Sequence, residues 1–276
     1  MKKNFNILLL LSILGVGAFF VWKHCTKIEH IALPTQAYAW VNTYQFYAIA
    51  HGMGAAHAEE KNRIATFYKS YADGFRFFEV DLMMTQDNHL ICYHGAQYDE
   101  NITYQHYVDD SLAMKQAPCG MDDLIQLAKS HPDVYFVLDL KNEQKFEQAY
   151  QMIKAKVAQA KVGYSFIPQI YYIEQSAFIR AGQIFSAEIF TGYRVSYSTK
   201  KIFKQAREAQ IPVVTIPKEW VERAPLAHDL LIFIHPVNDI AEVIAFRQQG
   251  VSGIFTSILS PKNAPNLYVD NRKRIS

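Results

Sequence analysis

Three cysteines in 276 residues are too few for a scaffold built on disulfides, so the fold must rest on a hydrophobic core. Cys92 and Cys119 can pair if the chain is exported, and free thiols are the equal alternative. No basic stripe and no run of Lys and Arg interleaved with aromatics occurs, and 28 basic side chains nearly balance 26 acidic ones. That excludes nucleic acid as the expected partner. There is no internal repeat longer than one strand and one helix, and no second domain. Half of the residues are hydrophobic and 14% are aromatic, which excludes wholesale disorder.

What is present begins at the N-terminus. Lys2 and Lys3 precede an uncharged stretch from Asn4 to Trp22, about the ~20 residues a helix needs to cross a bilayer. Val16-Gly17-Ala18 offers a small-residue cleavage site, but the apolar run continues through Phe19, Phe20 and Trp22. This favours an uncleaved anchor over a removed signal. Residues 1–25 are therefore expected to be a signal-anchor helix that attaches the chain to a membrane. The alternative is secretion after cleavage; either way residues 26–276 are expected to form one extracytoplasmic domain.

In that domain short apolar runs recur at 46–50, 75–82, 134–138, 167–172, 188–193, 212–216, 230–234 and 253–255. Segments of helical period separate most of them, at 59–71, 121–130, 143–161, 199–209 and 239–249. Strands alternating with helices imply βαβ units and a parallel sheet. Eight such strands in about 250 residues predict an α/β fold of the (β/α)8, or TIM barrel, type. One extra strand at 89–93 follows the turn Gln86-Asp87-Asn88 and is expected to form a hairpin on the second strand.

Barrels of this type build their sites at the C-terminal ends of the strands. The first strand ends at His51. In the second, Glu79 and Asp81 alternate with Phe78, Val80 and Leu82, so both carboxylates share one face. Two carboxylates turned into a barrel mouth need a cation: either a hard divalent ion such as Mg²⁺ or Ca²⁺, or a basic side chain. The hairpin returns to His94, and the next barrel strand ends with Asp139 and Lys141, again two residues apart. Two histidines, three acids and one lysine at the ends of successive strands fit acid/base and metal-assisted phosphoryl chemistry.

The run from Ile49 to Gly95 resembles the glycerophosphodiester phosphodiesterase family. The resemblance is carried by Ala50-His51-Gly52, Gly74, Glu79-Val80-Asp81, Thr85-Gln86-Asp87-Asn88, Tyr93-His94-Gly95 and Asp139-Leu140-Lys141. Pro236-Val237-Asn238-Asp239 and Gly250-Val251-Ser252-Gly253-Ile254-Phe255-Thr256 extend it to the end of the barrel. The chain departs from the pattern at Gly52, where the family has a phosphate-holding arginine, and at Asp139, where it has a glutamate. It departs again at Gly95 and Ser257 in place of aspartates, and at His235 in place of an aromatic.

The resemblance implies that His51 and His94 are the catalytic acid and base, in an order left open. Glu79, Asp81 and Asp139 hold Mg²⁺ or Ca²⁺, and Lys141 binds the substrate phosphate. A phosphodiester or lipid-derived small molecule is the expected substrate. The missing arginine is also similar to sphingomyelinase D-like phospholipases, so a lipid-cleaving activity and a non-catalytic anchored binding protein stand as the alternatives.

Overall fold

The computed structural model describes Trp40 and residues 46–93, 101–185, 187–194, 198–223, 226 and 229–265. Nine strands form its sheet: β1 (Tyr47–Ala50), β2 (Phe77–Met84), β3 (Leu90–Cys92), β4 (Tyr135–Leu140), β5 (Phe166–Ile170), β6 (Ile189–Phe190), β7 (Val213–Pro217), β8 (Leu231–His235) and β9 (Gly253–Thr256). All but β3 run parallel in chain order, and β1 pairs with both β2 and β9. Ile49 sits beside Phe77 and Tyr47 beside Gly253, so the ring closes. This is the eight-stranded parallel barrel that the apolar runs predict, with β3 added as an antiparallel hairpin on the end of β2.

Alternation along each strand divides the side chains between two cores. Phe78, Val80, Leu82 and Met84 of β2 pack outward with residues of the surrounding helices. Phe77 packs inward with Tyr47, Ile49, Val137, Ile167, Val213, Phe233 and Phe255. Trp40 joins this inner cluster, edge-on to Tyr47 and Phe77, and accepts a hydrogen bond from the Tyr47 hydroxyl on its carbonyl. The strands' N-terminal ends are thus filled by rings, which leaves the opposite end for polar residues.

The helices are α1 (Ile64–Ala72), α2 (Tyr104–Ala113), α3 (Met121–Ser130), α4 (Phe146–Ala160), α5 (Gln175–Arg180), α6 (Thr199–Glu208) and α7 (Ile240–Gln248). Asp239 caps α7 by accepting from the N–H groups of Ala241 and Glu242, as its place before the apolar run predicts. Asp123 reaches back from the first turn of α3 to the Gly120 N–H. The periodicity does not predict α2 or α5. Thr103 starts α2 by accepting from the His106 N–H, and Tyr107 anchors it by burial. The predicted helix at 59–71 begins only at Ile64, because Lys61, Asn62 and Arg63 take non-helical conformations.

Cys92 and Cys119 form a disulfide across a sequence separation of 27, with Cα atoms 5.2 Å apart. It ties the hairpin strand β3 to the start of α3. Among the described residues no helix is long and apolar enough to cross a membrane. The expected anchor at 1–25 lies outside the described residues, as does His94.

Candidate active site

At the C-terminal end of β2 the strand's inward face changes from Phe77 to Glu79 and Asp81. Both are buried, at 3% and 1% exposed, and Asp139 of β4 joins them at 5%. The parallel register sets Asp81 beside Asp139 directly. Each of the three offers a carboxylate oxygen within 4.8 Å of the others. The expected acid cluster is therefore assembled, and its position follows from strand register alone.

Two polar contacts hold the carboxylates in place. After β1 the chain turns through Gly52 and Met53, both with positive φ. This aims the Gly52 N–H at Glu79 Oε2, 2.6 Å away. Asn62 binds Asp81 twice: its Nδ2 donates to Oδ2 at 2.8 Å, and its Oδ1 accepts from the Asp81 backbone N–H at 3.0 Å. The sequence did not point to Asn62, since it falls in the segment 59–71 expected to be helical and lies instead in the loop before Ile64.

Lys141 supplies the basic partner. Its ammonium meets Asp139 Oδ2 at 2.5 Å and also contacts Asp81 Oδ1. Of the two ways of balancing paired carboxylates, the ion pair is thus present. It is incomplete, because three carboxylates face one ammonium. Burial pushes the Glu79 carboxyl well above its usual range, and the negative charge of Asp81 pushes it further. Burial opposes the charge on Lys141, but Asp139, Asp81 and Glu79 outweigh it and hold its pKa above the usual value. When all three acids are ionised, two negative charges remain uncompensated, and the donors are hard oxygens. A divalent ion such as Mg²⁺ or Ca²⁺ fits that charge and that chemistry.

His51 follows β1 directly and sits at the same mouth. Burial, then the charge of Lys61, lowers its pKa to about 4, against a smaller opposing effect of Asp81. Its ring is thus neutral at neutral pH. Lys61 lies across Gly52: a Cβ placed on that glycine would come within 2.9 Å of Lys61 Cγ. Backbone conformation and space both hold position 52 to glycine, and Lys61 brings a positive charge to the side of the site where Gly52 has none.

The far side of the mouth holds Tyr171, Gln169 and His235. The Tyr171 hydroxyl donates to Asp139 Oδ1 at 2.8 Å, and Gln169 Nε2 donates to the Tyr171 oxygen at 3.1 Å. Tyr171 thereby holds an acid of the cluster. His235 ends β8, with its ring against Tyr193 at 5.3 Å between centroids.

A closed (β/α)8 barrel with buried carboxylates at its C-terminal mouth is similar to known phosphodiesterases in both sequence and fold. Residues 51–165 match the model of the glycerophosphoryl diester phosphodiesterase family. No curated protein matches the chain. Among solved structures, a glycerophosphodiester phosphodiesterase from Parabacteroides distasonis shares the fold with a TM-score of 0.68 at 16% identity, covering 85% of this chain and 100% of that one. One from Thermotoga maritima scores 0.60 at 12% identity, with coverage of 77% and 94%. An Oleispira antarctica phosphodiesterase, solved with its product sn-glycerol-3-phosphate, scores 0.64 at 13%, with coverage of 80% and 96%.

Proposed function

We propose that the chain hydrolyses small phosphodiesters of the glycerophosphodiester type with a divalent cation bound at Glu79, Asp81 and Asp139. The observation that carries this reading is the buried cluster of three carboxylates beside a neutral histidine, in a segment that matches the family model. The cation, Mg²⁺ or Ca²⁺, would neutralise charge developing on the phosphoryl oxygens.

The protein's own residues divide the remaining work. His51, neutral and at the mouth, takes the proton from the attacking hydroxyl, which belongs to water or to the substrate's neighbouring alcohol. The new oxygen–phosphorus bond forms as the bond to the leaving alcohol breaks, and the second histidine, His94, gives that alcohol its proton. Lys141 steadies the carboxylates and reaches a phosphoryl oxygen when the cation takes its place between them. Lys61 supplies positive charge on the side where Gly52 has no side chain to offer. Acid/base assistance contributes typically 10²–10⁴-fold per group. His51→Ala and His94→Ala should each therefore lose at least about a hundredfold in turnover of a glycerophosphodiester. Near-wild-type turnover in both variants would remove the histidine assignment.

The same reading puts the domain outside the cytoplasm, with residues 1–25 as anchor or signal. The Cys92–Cys119 disulfide supports it, because such bonds persist in oxidising compartments. Fractionation of cells expressing the full chain tests this. Recovery in the cytoplasm with both thiols free would contradict it.

A further inference from the structure

Arg63, the residue just before α1, carries a charge that the catalytic mouth does not use. Its Nε and Nη1 are both buried, with no hydrogen-bond partner among the described residues. A buried lysine or histidine can shed its proton, but a guanidinium stays charged and can only donate. An unpaired buried donor costs about 1–3 kcal/mol, and more when it is charged. Arg63 therefore calls for an acceptor, and an anion answers it best.

Arg63 lines a cavity of about 300 Å³ that contains neither His51 nor any carboxylate of the cluster. Lys69 and Lys115 line it too, and neither has an ion-pair partner among the described residues. Glu60 is the one acid on these walls, so three positive charges against one negative leave a surplus of two. The first turn of α1, which no side chain caps, adds backbone N–H groups to the same wall. The walls are tied to each other. Gln116 Nε2 donates to the Glu59 carbonyl at 3.3 Å, and the Thr66 hydroxyl donates to the Glu60 carbonyl at 2.7 Å.

Gln116 narrows the anion's identity. A carbonyl can only accept, so the bond to Glu59 fixes which end of the amide is nitrogen. The other end, Oε1, is buried without a partner among the described residues. It needs a donor in a cavity whose charges need an acceptor. Sulfate has no proton near neutral pH, whereas hydrogen phosphate and a monoprotonated phosphomonoester combine several acceptor oxygens with one hydroxyl.

We propose that this cavity is a second, non-catalytic site for a phosphate group that carries one proton. Arg63 and the lysines hold its oxygens, and Gln116 Oε1 accepts its hydroxyl. Inorganic phosphate and the monoester head group of a lipid share this chemistry; exposed Leu112 and Met114, just before Lys115, make the lipid the second source to test. Arg63 adjoins Asn62, so an occupant also steadies the loop that orients Asp81. The inference stands independently of the phosphodiesterase reading.

The test is calorimetric titration of the full chain in mild detergent, with chelator present so that no cation draws phosphate to the carboxylates. The probes are inorganic phosphate, sulfate and dihexanoyl phosphatidic acid. Wild type should bind phosphate at one site, about fivefold or more tighter than sulfate. Arg63→Gln should weaken phosphate at least about tenfold, because hydrogen bonds to charged groups are the strong ones. Lys115→Gln, at an exposed position that the fold does not need, should weaken it about two- to fivefold. His51→Ala should bind phosphate as wild type does, and thermal melts show that the variants are folded. Phosphatidic acid binding about tenfold tighter than phosphate, and losing that affinity in Arg63→Gln, assigns the site to a lipid head group; equal or weaker binding assigns it to the free anion, and either upholds the site. No binding of phosphate or phosphatidic acid at millimolar concentration would overturn it. So would wild-type affinity in both Arg63→Gln and Lys115→Gln, sulfate binding as tightly as phosphate, or a loss in His51→Ala that matches the loss in Arg63→Gln.

Discussion

The side-chain amide of Asn62 grips Asp81 from two directions, donating to its carboxylate at 2.8 Å and accepting from its backbone N–H at 3.0 Å. Asn62 also has a φ of 58°, a conformation asparagine tolerates better than most residues. The loop after β1 thus orients an acid that β2 supplies.

Removing this grip should weaken both fold and site. Asn62→Ala leaves buried polar atoms unpaired at a cost of about 1–3 kcal/mol, measurable by denaturant melts. Loss of such an orienting partner typically lowers metal affinity about 10–100-fold. Asn62→Gly, which accepts the backbone conformation, separates the amide's share from strain. Unchanged cation affinity in both variants would show that Asn62 is only a loop support.

His51 should titrate near pH 4 in the cation-free protein, against about 6.5 in an unfolded chain. Between those values the unfolded chain holds a proton that the folded one refuses, so stability rises with pH across this window. Burial of His51 costs nothing above pH 6.5 and progressively more as pH falls to 4. Imidazole NMR resonances read the titration directly, and His51→Gln should flatten the acid side of the stability profile. A midpoint at or above 6.5 would contradict the buried, neutral base.

Reduction of the Cys92–Cys119 bond should lower stability by about 3–4 kcal/mol, the chain-entropy value for a loop of this length. His94 lies two residues beyond Cys92, so turnover should fall with it. Melts with and without reductant, and of Cys92→Ser, measure the first; an unchanged midpoint would assign the bond no stabilising role.

Much of this arrangement was legible in the sequence because strands repeat with a simple period. Glu79-Val80-Asp81 and Asp139-Leu140-Lys141 announce their shared faces by alternation, and register does the rest. The eight apolar runs predict eight strands for the same reason. The α2 helix was not legible, since Tyr104–Ala113 carries charge and apolar residues without a marked stripe and depends on the Thr103 cap and Tyr107 burial. Nor was Asn62, whose role comes from a loop conformation and a partner 19 residues away. The resemblance gives Lys141 a phosphate-binding role; its pairing with Asp81 and Asp139 follows from three-dimensional charge balance.

That pairing has a consequence for cation binding. An entering divalent ion must displace the Lys141 ammonium from Asp81 and Asp139. Lys141→Gln should therefore bind Mg²⁺ or Ca²⁺ more tightly, by about tenfold or more, while the cation-free variant melts earlier because three buried acids lose their counter-charge. Weaker cation binding in this variant would mean that Lys141 organises the carboxylates and does not compete for them.

The central claim is that the cluster of Glu79, Asp81 and Asp139 works with a divalent cation, and turnover of a glycerophosphodiester against free cation concentration tests it most directly. The chelated wild-type chain should be inactive and regain activity saturably with Mg²⁺ or Ca²⁺, and Asp81→Asn should not recover at concentrations that saturate the wild type. Full wild-type turnover in excess chelator would contradict the account.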